Sequence, residues 1–274
     1  MAYREYYSYS FENTALVAGS GNVFADTLVR LDPDADFEVM SRIHVATSDL
    51  IFLRFSDDSF GRYQQNNNID LRMVSGRALP LWAQTGTKYT MAFLPNVVTT
   101  PYLLSAGSVV TASFADASGL ANSIRQTWHG AKIQDGKAPW DRQWNQEVYF
   151  AYTTGPLTVA ASGTTSFSLN INMDAHFLIE QLKAVRTGGA LITIKDGSTD
   201  RQWMDRAVHI DNLFGNAIFP HKLLANRFVT RGSPISIGIT DISGAANTIE
   251  LVFVGTKLFG SIKGLDDIRP VQRG

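Results

Sequence analysis

The five histidines are the first residues whose chemistry would suit catalysis or metal binding: His44, His129, His176, His209 and His221. None of them has the i,i+4 or His-x-His spacing that brings two imidazoles to one metal ion. Two have an acidic residue close by in the sequence, Asp174 before His176 and Asp211 after His209. We therefore predict surface or half-buried histidines, and no catalytic, cofactor-binding or metal-binding residue.

Two turn-like segments supply the carboxylates that would suit cation binding or acid–base chemistry: Asp57, Asp58, Asp196 and Asp200. They do not follow the Asp-x-Asp-x-Asp-Gly spacing of a calcium loop. Arg62 and Arg201 follow these turns, and each is expected either to bridge its turn to a neighbouring strand or to contact another subunit. A glycoside- or peptidoglycan-cleaving enzyme would need two carboxylates about 5 to 10 Å apart across a cleft. No such pair stands out, so we predict structural turns and no enzyme activity.

The segment from Trp82 to Phe93 suggests a ligand surface. It combines Trp82, Tyr89 and Phe93 with a glycine and polar residues. Loops of this composition on a β-sandwich bind sugars or proteins in many families. A carbohydrate- or receptor-binding module is therefore the alternative function, and a packed or interface loop is the competing interpretation.

A short motif that occurs twice organises the rest of the chain. The pattern D-x-S-G-x-A-N-x-I begins at Asp116 and again at Asp241. Each copy continues to an aromatic residue and then to G-x-K, which ends at Lys132 and Lys257. The offset between the copies is constant throughout, so we interpret them as one unit used twice.

Further matches extend this similarity through most of the chain: Tyr7-Ser8-Tyr9 with Phe150-Ala151-Tyr152, Asp34-Ala35-Asp36-Phe37 with Asp174-Ala175-His176-Phe177, and Gly76-Arg77-Ala78-Leu79 with Gly215-Asn216-Ala217-Ile218. A repeat of about 115 to 130 residues has the size of an independent domain. We predict an internal duplication, with a first domain at 1–133 that holds an insertion at about 80–93, and a second domain at 146–260. An aromatic linker at 134–145, in which Trp140 and Trp144 pack on a domain or on another subunit, joins them, and 261–274 is a solvated tail or interaction arm.

Apolar residues that alternate with polar ones predict strands with one buried face. The sets are Ile51, Leu53 and Phe55; Ala190, Ile192 and Ile194; Val110, Ala112 and Phe114; Ile235, Ile237 and Ile239; Ile124, Gln126 and Trp128; and Ile249, Leu251 and Phe253. The strands on either side of each repeated motif are predicted to form a hairpin. The segment from Asp174 to Val185 fits either about three helical turns or a strand.

Composition and charge narrow the functional classes. With 24 basic and 25 acidic residues, the chain has no global field to attract nucleic acid. The absence of cysteine excludes disulfides and thiolate metal sites. The N-terminus lacks the pattern of a signal peptide, and no apolar run approaches the roughly 20 residues that span a bilayer. We predict a protein made in the cytoplasm, with no direct nucleic-acid role and no membrane role.

Many short strands, frequent Gly, Ser, Asn and Asp turns and little helix predict an all-β chain. Its architecture would be two tandem antiparallel β-sandwich domains, and about eight strands in a jelly roll fit each repeat. The repeated series consists of Gly107-Ser108 and Gly232-Ser233, the alternating strands, the D-x-S-G-x-A-N-x-I motif and the Gly-x-Lys ends.

This series resembles structural proteins of tailed double-stranded DNA bacteriophages, which are often built from such sandwiches. The resemblance implies a capsid, decoration, head-fibre or connector protein located in the virion. It also implies assembly with other virion proteins and with itself as a symmetric oligomer. A trimer is one such form, because trimers of double jelly-roll capsid proteins make pseudo-hexagonal tiles.

Overall fold

The computed structural model is built almost entirely of strands. It describes residues 2–18, 24–46, 51–57, 62–63, 69–70, 76–77, 96–136, 138, 144, 146–215 and 220–260. The described strands of the first half are β1 (Ala2–Leu16), β2 (Ala25–Arg30), β3 (Asp36–Ala46), β4 (Ile51–Asp57), β5 (Arg62–Tyr63), β6 (Ile69–Asp70), β7 (Gly76–Arg77), β8 (Asn96–Leu104), β9 (Val109–Asp116) and β10 (Asn122–Asp135).

The second half continues with β11 (Gln146–Thr153), β12 (Leu157–Val159), β13 (Thr164–Asn170), β14 (His176–Arg186), β15 (Ala190–Asp196), β16 (Val208–His209), β17 (His221–Val229), β18 (Pro234–Asp241) and β19 (Asn247–Phe259). A short helix, α1 (Ile210–Leu213), follows β16. None of the described helical segments is long and apolar enough to cross a membrane.

The chain divides into two compact bodies, each of which takes a segment from the other half of the sequence. The first body comprises Tyr6–Gln134 and Met204–Leu213. The second body comprises Met1–Glu5, Asp135–Trp203 and Phe214–Gly274. The fold therefore follows the predicted halves only in outline, and the domain boundaries and the common origin of the halves stay predictions.

The first body is a sandwich of two sheets. One sheet has the order β1-β10-β3-β7, with β8 also paired to β3. The other has the order β2-β9-β4-β5, with β6 also paired to β4. The first and last strands are thus neighbours in one sheet, and the second strand joins the next-to-last in the other, which is the connectivity of a jelly roll.

The second body repeats this connectivity. One sheet has the order β11-β19-β14-β17, with β12 also paired to β19. The other sheet runs from β13 through β18 to β15, and an isolated antiparallel bridge joins Lys195 of β15 to Gln202. The predicted all-β, jelly-roll-like sandwich fold is therefore confirmed.

The predicted inward faces of the strands are also confirmed. Every member of the six alternating sets has an exposed fraction of 1% or less. In the first body these residues join an aromatic core in which Phe55 and Trp128 meet edge to face with ring centroids 4.7 Å apart. Burial of such large aromatic side chains is the main source of stability in a sandwich of this size.

For the segment from Asp174 to Val185, which fitted either a helix or a strand, the structure has the strand: β14 pairs along most of its length with β19 and over a shorter stretch with β17. One prediction about local structure is wrong. The strands that flank each repeated motif do not form a hairpin: β18 pairs with β13 and β15, whereas β19 belongs to the opposite sheet. A period of two shows which face of a strand is buried but not which strand is its neighbour.

The glycine of each Gly-x-Lys sequence lies where two strands approach closely. A Cβ at Gly130 would collide with the backbone carbonyl of Glu38, and a Cβ at Gly255 with that of Leu178. In both bodies the strand pairing shifts register beside this point, at His129/Gly130 on β10 and opposite Gly255 at Ile179/Gln181 on β14. The absence of a side chain is therefore required at the bulge.

We predict that Gly255→Ala lowers the free energy of unfolding by about 3 kcal/mol or more, because the new methyl group meets backbone that cannot move independently. The matched control is Gly244→Ala, where φ is 74° and no heavy atom lies within 4 Å of the new Cβ. That change should cost only about 1 kcal/mol, from the left-handed conformation alone. Urea denaturation measures both values, and equal losses in the two variants would contradict the steric explanation.

Candidate functional site

The repeated D-x-S-G-x-A-N-x-I motif forms a corner that carries the chain from one sheet to the other. In the second body the Asp241 carboxylate accepts hydrogen bonds from the Ser243 hydroxyl at 2.7 Å and from the Gly244 N–H at 3.1 Å. It also accepts the Ser162 N–H at 2.9 Å and the Asn247 side-chain amide at 3.4 Å. The hydrogen bonds from Ser243 and Ser162 lower the pKa of Asp241 to about 2.

The first body has the same corner. Asp116 accepts hydrogen bonds from the Ser118 hydroxyl at 2.7 Å, the Gly119 N–H at 3.1 Å and the Asn122 amide at 3.0 Å. A carboxylate that accepts several local donors has little capacity left for an external ligand. The motif therefore has a structural role in both bodies.

The lysines of the Gly-x-Lys sequences are also structural. Lys132 lies 2.7 Å from Asp32 and 2.9 Å from Asp34, and its ammonium group lies 4.1 Å from the centre of the Tyr7 ring. Lys257 lies 2.9 Å from Asp174 and 4.2 Å from the centre of the Phe150 ring. Each lysine thus ties a loop carboxylate to the first strand of its sandwich through an ion pair and a cation–π contact.

The histidines are buried, so the prediction of surface or half-buried positions is wrong. The exposed fractions are 0% for His44, 1% for His129, 6% for His176, 7% for His209 and 3% for His221. A neutral imidazole is easily buried when its ring nitrogens have partners, and sequence spacing gives no sign of this. In the part of the chain that the structure describes, no cluster of three or more His, Asp or Glu side chains could hold a metal ion.

His129 lies at the centre of a buried hydrogen-bond network in the first body. Its Nδ1 lies 2.8 Å from the Tyr6 hydroxyl and its Nε2 lies 2.8 Å from the backbone carbonyl of Asn212. The carbonyl can only accept, so Nε2 carries the proton and Nδ1 accepts from Tyr6. Burial lowers the pKa of His129 to about 4, because the charged form would lose its hydration.

The carboxylates of the predicted turns serve local structure where they are described. Asp196 accepts both the N–H and the hydroxyl of Ser198, at 2.9 and 2.7 Å, which confirms a structural turn. Asp200 forms an ion pair with Lys195. Asp57 ends β4, and Asp58 lies outside the described residues.

Arg201 confirms the first of its two predicted roles, because it reaches a strand. Its guanidinium lies 3.6 Å from Glu5 of β1, and Arg227 lies 2.8 Å from the same carboxylate. The Arg227 side chain is only 3% exposed and lies over the Trp203 ring, 5.2 Å from its centre. Burial lowers the pKa of Arg227, and the charge of Glu5 opposes that change. Glu5 therefore anchors the start of β1 in the second body.

The outer edge of β1 is covered by the segment Met204–Leu213, which we term the strap. Ser8 forms a parallel bridge with Met204, and its carbonyl accepts the Asp205 N–H at 3.3 Å. The Ser10 N–H in turn donates to the Asp205 carboxylate at 3.0 Å. Under the strap, Tyr6 and Ser8 have no exposed surface.

The corresponding strand of the second body, β11, has no described segment along its outer edge, which we term the open edge. Among the described strands, β11 pairs with β19 alone. Most of its residues are exposed on both faces, including Tyr149 at 70% and Val148 at 37%. An exposed edge strand with an aromatic side chain is a template for pairing with another chain. This open edge is the candidate functional site, and its exposure was not predictable from the residue pattern of β11.

A groove of about 420 Å³ lies over the outer face of β13, β18 and β15. Hydroxyl groups of Ser166, Ser168, Thr193 and Ser236 are among its lining groups. None of the lining residues is a carboxylate or a histidine. Its one titratable lining residue is Lys195, which forms an ion pair with Asp200.

Three predicted features lie outside the described residues: the Trp82 to Phe93 loop, Trp140 of the linker and the tail at 261–274. Trp144 is described, and its ring lies 5.5 Å from that of His176 and 6.3 Å from that of Phe228. Packing of this linker tryptophan on the second body is therefore confirmed.

No protein-family model and no curated protein matches this chain. The chain is similar to a solved chain described under the triple jelly-roll fold and turret assembly in an archaeal virus, with 11% identity, 92% of this chain covered and a TM-score of 0.28. It spans 59% of the length of that chain.

Two further solved structures are similar at the same low level. The major capsid protein P2 from bacteriophage PM2 has 12% identity and a TM-score of 0.26, with 95% of this chain and 99% of P2 covered. The PBSX exported protein XepA has 11% identity and a TM-score of 0.21, with 93% of this chain and 85% of XepA covered.

We predict that Glu5→Gln lowers the free energy of unfolding by about 3 to 5 kcal/mol, because it removes the carboxylate that lies 2.8 Å from the buried Arg227 guanidinium. The control is Arg201→Gln, whose side chain is 55% exposed. It should cost less than about 1 kcal/mol. Chemical denaturation gives both values, and a small effect of Glu5→Gln would contradict the anchoring role.

We predict opposite pH dependences for two groups that hold the strap. His129, with its pKa lowered to about 4, stabilises the fold above pH 6.5, and this contribution is lost as the pH falls toward 4. Burial raises the pKa of Asp205 to about 6, so its contribution is present at low pH and is lost as the pH rises from 3.8 to 6. Each change amounts to about 3 kcal/mol, so the two largely cancel between pH 4 and 6.

The test compares the wild type with Asp205→Asn, which keeps the acceptor for Ser10 but does not titrate. As the pH falls from 6 to 4, the variant should lose about 3 kcal/mol relative to the wild type. NMR titration should show a neutral His129 imidazole down to about pH 4. Parallel stability profiles, or an imidazole that protonates near pH 6.5, would contradict this scheme.

Proposed function

We propose that this protein is a non-enzymatic structural component of a bacteriophage particle, acting through self-association as a capsid, decoration or head and neck protein. The observation that carries the proposal is the exposed outer edge of β11 on a chain built from two jelly-roll sandwiches. Jelly rolls are frequent in viral capsids and also occur in lectins. The fold alone therefore supports the virion assignment only as an analogy.

The contacts of the polar residues support a structural role. Four ionisable side chains could in principle take part in a reaction: Asp241, Lys257, His129 and Arg227. Each of them forms hydrogen bonds or ion pairs that hold loops or strands. Their side chains face corners, sheet edges and the interior. Among the described residues, the exposed edge of β11 is a surface that suits binding to protein.

The mechanism would be burial of subunit surface. Permanent interfaces commonly remove about 2,000 Å² or more from water. An edge strand adds backbone hydrogen bonds to this burial, and exposed aromatic side chains add anchors. Its partners would be other copies of the same chain and other virion proteins.

We predict that the purified protein forms one discrete oligomer at micromolar concentration, because the open edge would otherwise stay in water. Multi-angle light scattering coupled to size-exclusion chromatography measures its mass, and electron microscopy shows whether it has closed symmetry. A protein that remains monomeric at tens of micromolar would contradict the proposal.

A further inference from the structure

Tyr6 of the first body and Tyr149 of the second occupy equivalent positions. Each lies three residues before a tyrosine whose hydroxyl accepts a backbone N–H, at 2.9 Å for Tyr9 and 3.1 Å for Tyr152. Each of these later tyrosines also packs edge-on against a phenylalanine, Phe37 or Phe177, with ring centroids 4.8 Å apart. The registers of β1 and β11 in their sandwiches are therefore the same.

The two equivalent tyrosines have opposite environments. Tyr6 is fully buried, and its hydroxyl is hydrogen-bonded to His129, which in turn contacts the strap at Asn212. Tyr149 is 70% exposed. The difference follows from the strap, which runs along β1 and has no described counterpart along β11.

The first half has a stretch that holds the same place in the sequence as the strap. The strap ends just before Phe214 and Gly215, and Gly215 forms a parallel bridge with Lys183 of β14. In the first half Gly76 pairs in parallel with Ile43 of β3. The residues that precede Gly76 thus correspond to the strap by their place in the sequence.

We propose that the open edge of β11, centred on Tyr149, is covered in the assembled state by the first half of a second copy of this chain, as the strap covers β1 within one chain. This inference rests on the proposed function, which supplies the self-association. We infer that the occupant is the same chain for two reasons. The strap already covers the edge of β1, which is the counterpart of β11, and the residues before Gly76 hold the same place in the first half as the strap holds in the second.

Such an interface is head-to-tail, since each copy would offer its β11 edge to one neighbour and cover the β11 edge of another. Heterologous contacts of this kind close into rings when the rotation between copies allows it. Tyr149 would be the central anchor, because buried tyrosines contribute disproportionately to protein interfaces. Backbone pairing along β11 would add the hydrogen bonds that its outer edge now makes with water.

The first experiment uses Tyr149→Arg, which places a charge at the centre of the edge. We expect it to weaken self-association by about 30-fold or more, which is the effect of losing a hot-spot residue. The control is Val185→Arg, because Val185 is 73% exposed and lies on β14 of the same sheet. It should assemble like the wild type. Circular dichroism checks that both variants fold, which is expected because both side chains are exposed.

The second experiment uses the absence of cysteine from the chain. Tyr149→Cys provides a single thiol at the edge, and in a head-to-tail contact it meets a different surface of the neighbour. We expect its reaction with a maleimide to be slower at assembling concentrations than after dilution to monomers, and we expect no disulfide-linked dimer on oxidation. Rapid formation of such a dimer would show two β11 edges paired with each other and would overturn the inference.

The outcomes separate this inference from the proposed function. A wild-type oligomer that Tyr149→Arg leaves intact would overturn the role of the β11 edge and leave the assembly function standing. A wild-type protein that is monomeric at every concentration would overturn both. Loss of assembly in Tyr149→Arg but not in Val185→Arg supports the inference.

Discussion

The edge strands impose the constraint on which the arrangement of this protein depends. Backbone N–H and C=O groups on a sheet edge must meet water or another segment of polypeptide. In the first body the strap meets the edge of β1 through the Ser8 carbonyl and the Ser10 N–H. In the second body the edge of β11 stays exposed. One chain thus contains an edge strand that is covered by polypeptide and an edge strand that is exposed to water.

Buried charges fix the strands that carry these edges. Lys132 and Lys257 hold the first strand of each sandwich by cation–π contacts with Tyr7 and Phe150. Glu5 adds an ion pair with a guanidinium that is almost fully buried. The Glu5–Arg227 pair is costly to break, because both of its partners have little contact with water. The polar network therefore holds β1 and β11 in place.

The sequence predicted the faces of the strands well, because side-chain alternation reports burial directly. Ile235, Ile237 and Ile239 show this, since all three are buried as the pattern required. The partner of each strand was not predictable from the same pattern, and the corner at Asp241 was therefore mistaken for a hairpin. Pairing between distant segments depends on sheet topology, and the local polar turn is compatible with both arrangements.

The candidate site was not predictable for a related reason. Tyr149 and Tyr6 lie in similar sequences, and their exposure differs because a segment almost two hundred residues from Ser10 in the chain covers one of them. Burial of His129 has the same cause, since Asn212 of the strap supplies one of its partners. Local composition carries no information about such a distant contact.

The two bodies share residues inside their sandwiches and differ at a sheet edge. This difference affects how far self-association could extend. The corner residues around Asp116 and Asp241 and the close-approach glycines Gly130 and Gly255 lie inside each sandwich and keep the same contacts. The difference lies at the edge, where Tyr149 is exposed. An open edge that pairs with another chain can extend a sheet without limit, as in fibres. A head-to-tail contact at the β11 edge would instead close into a ring when the rotation between copies allows it.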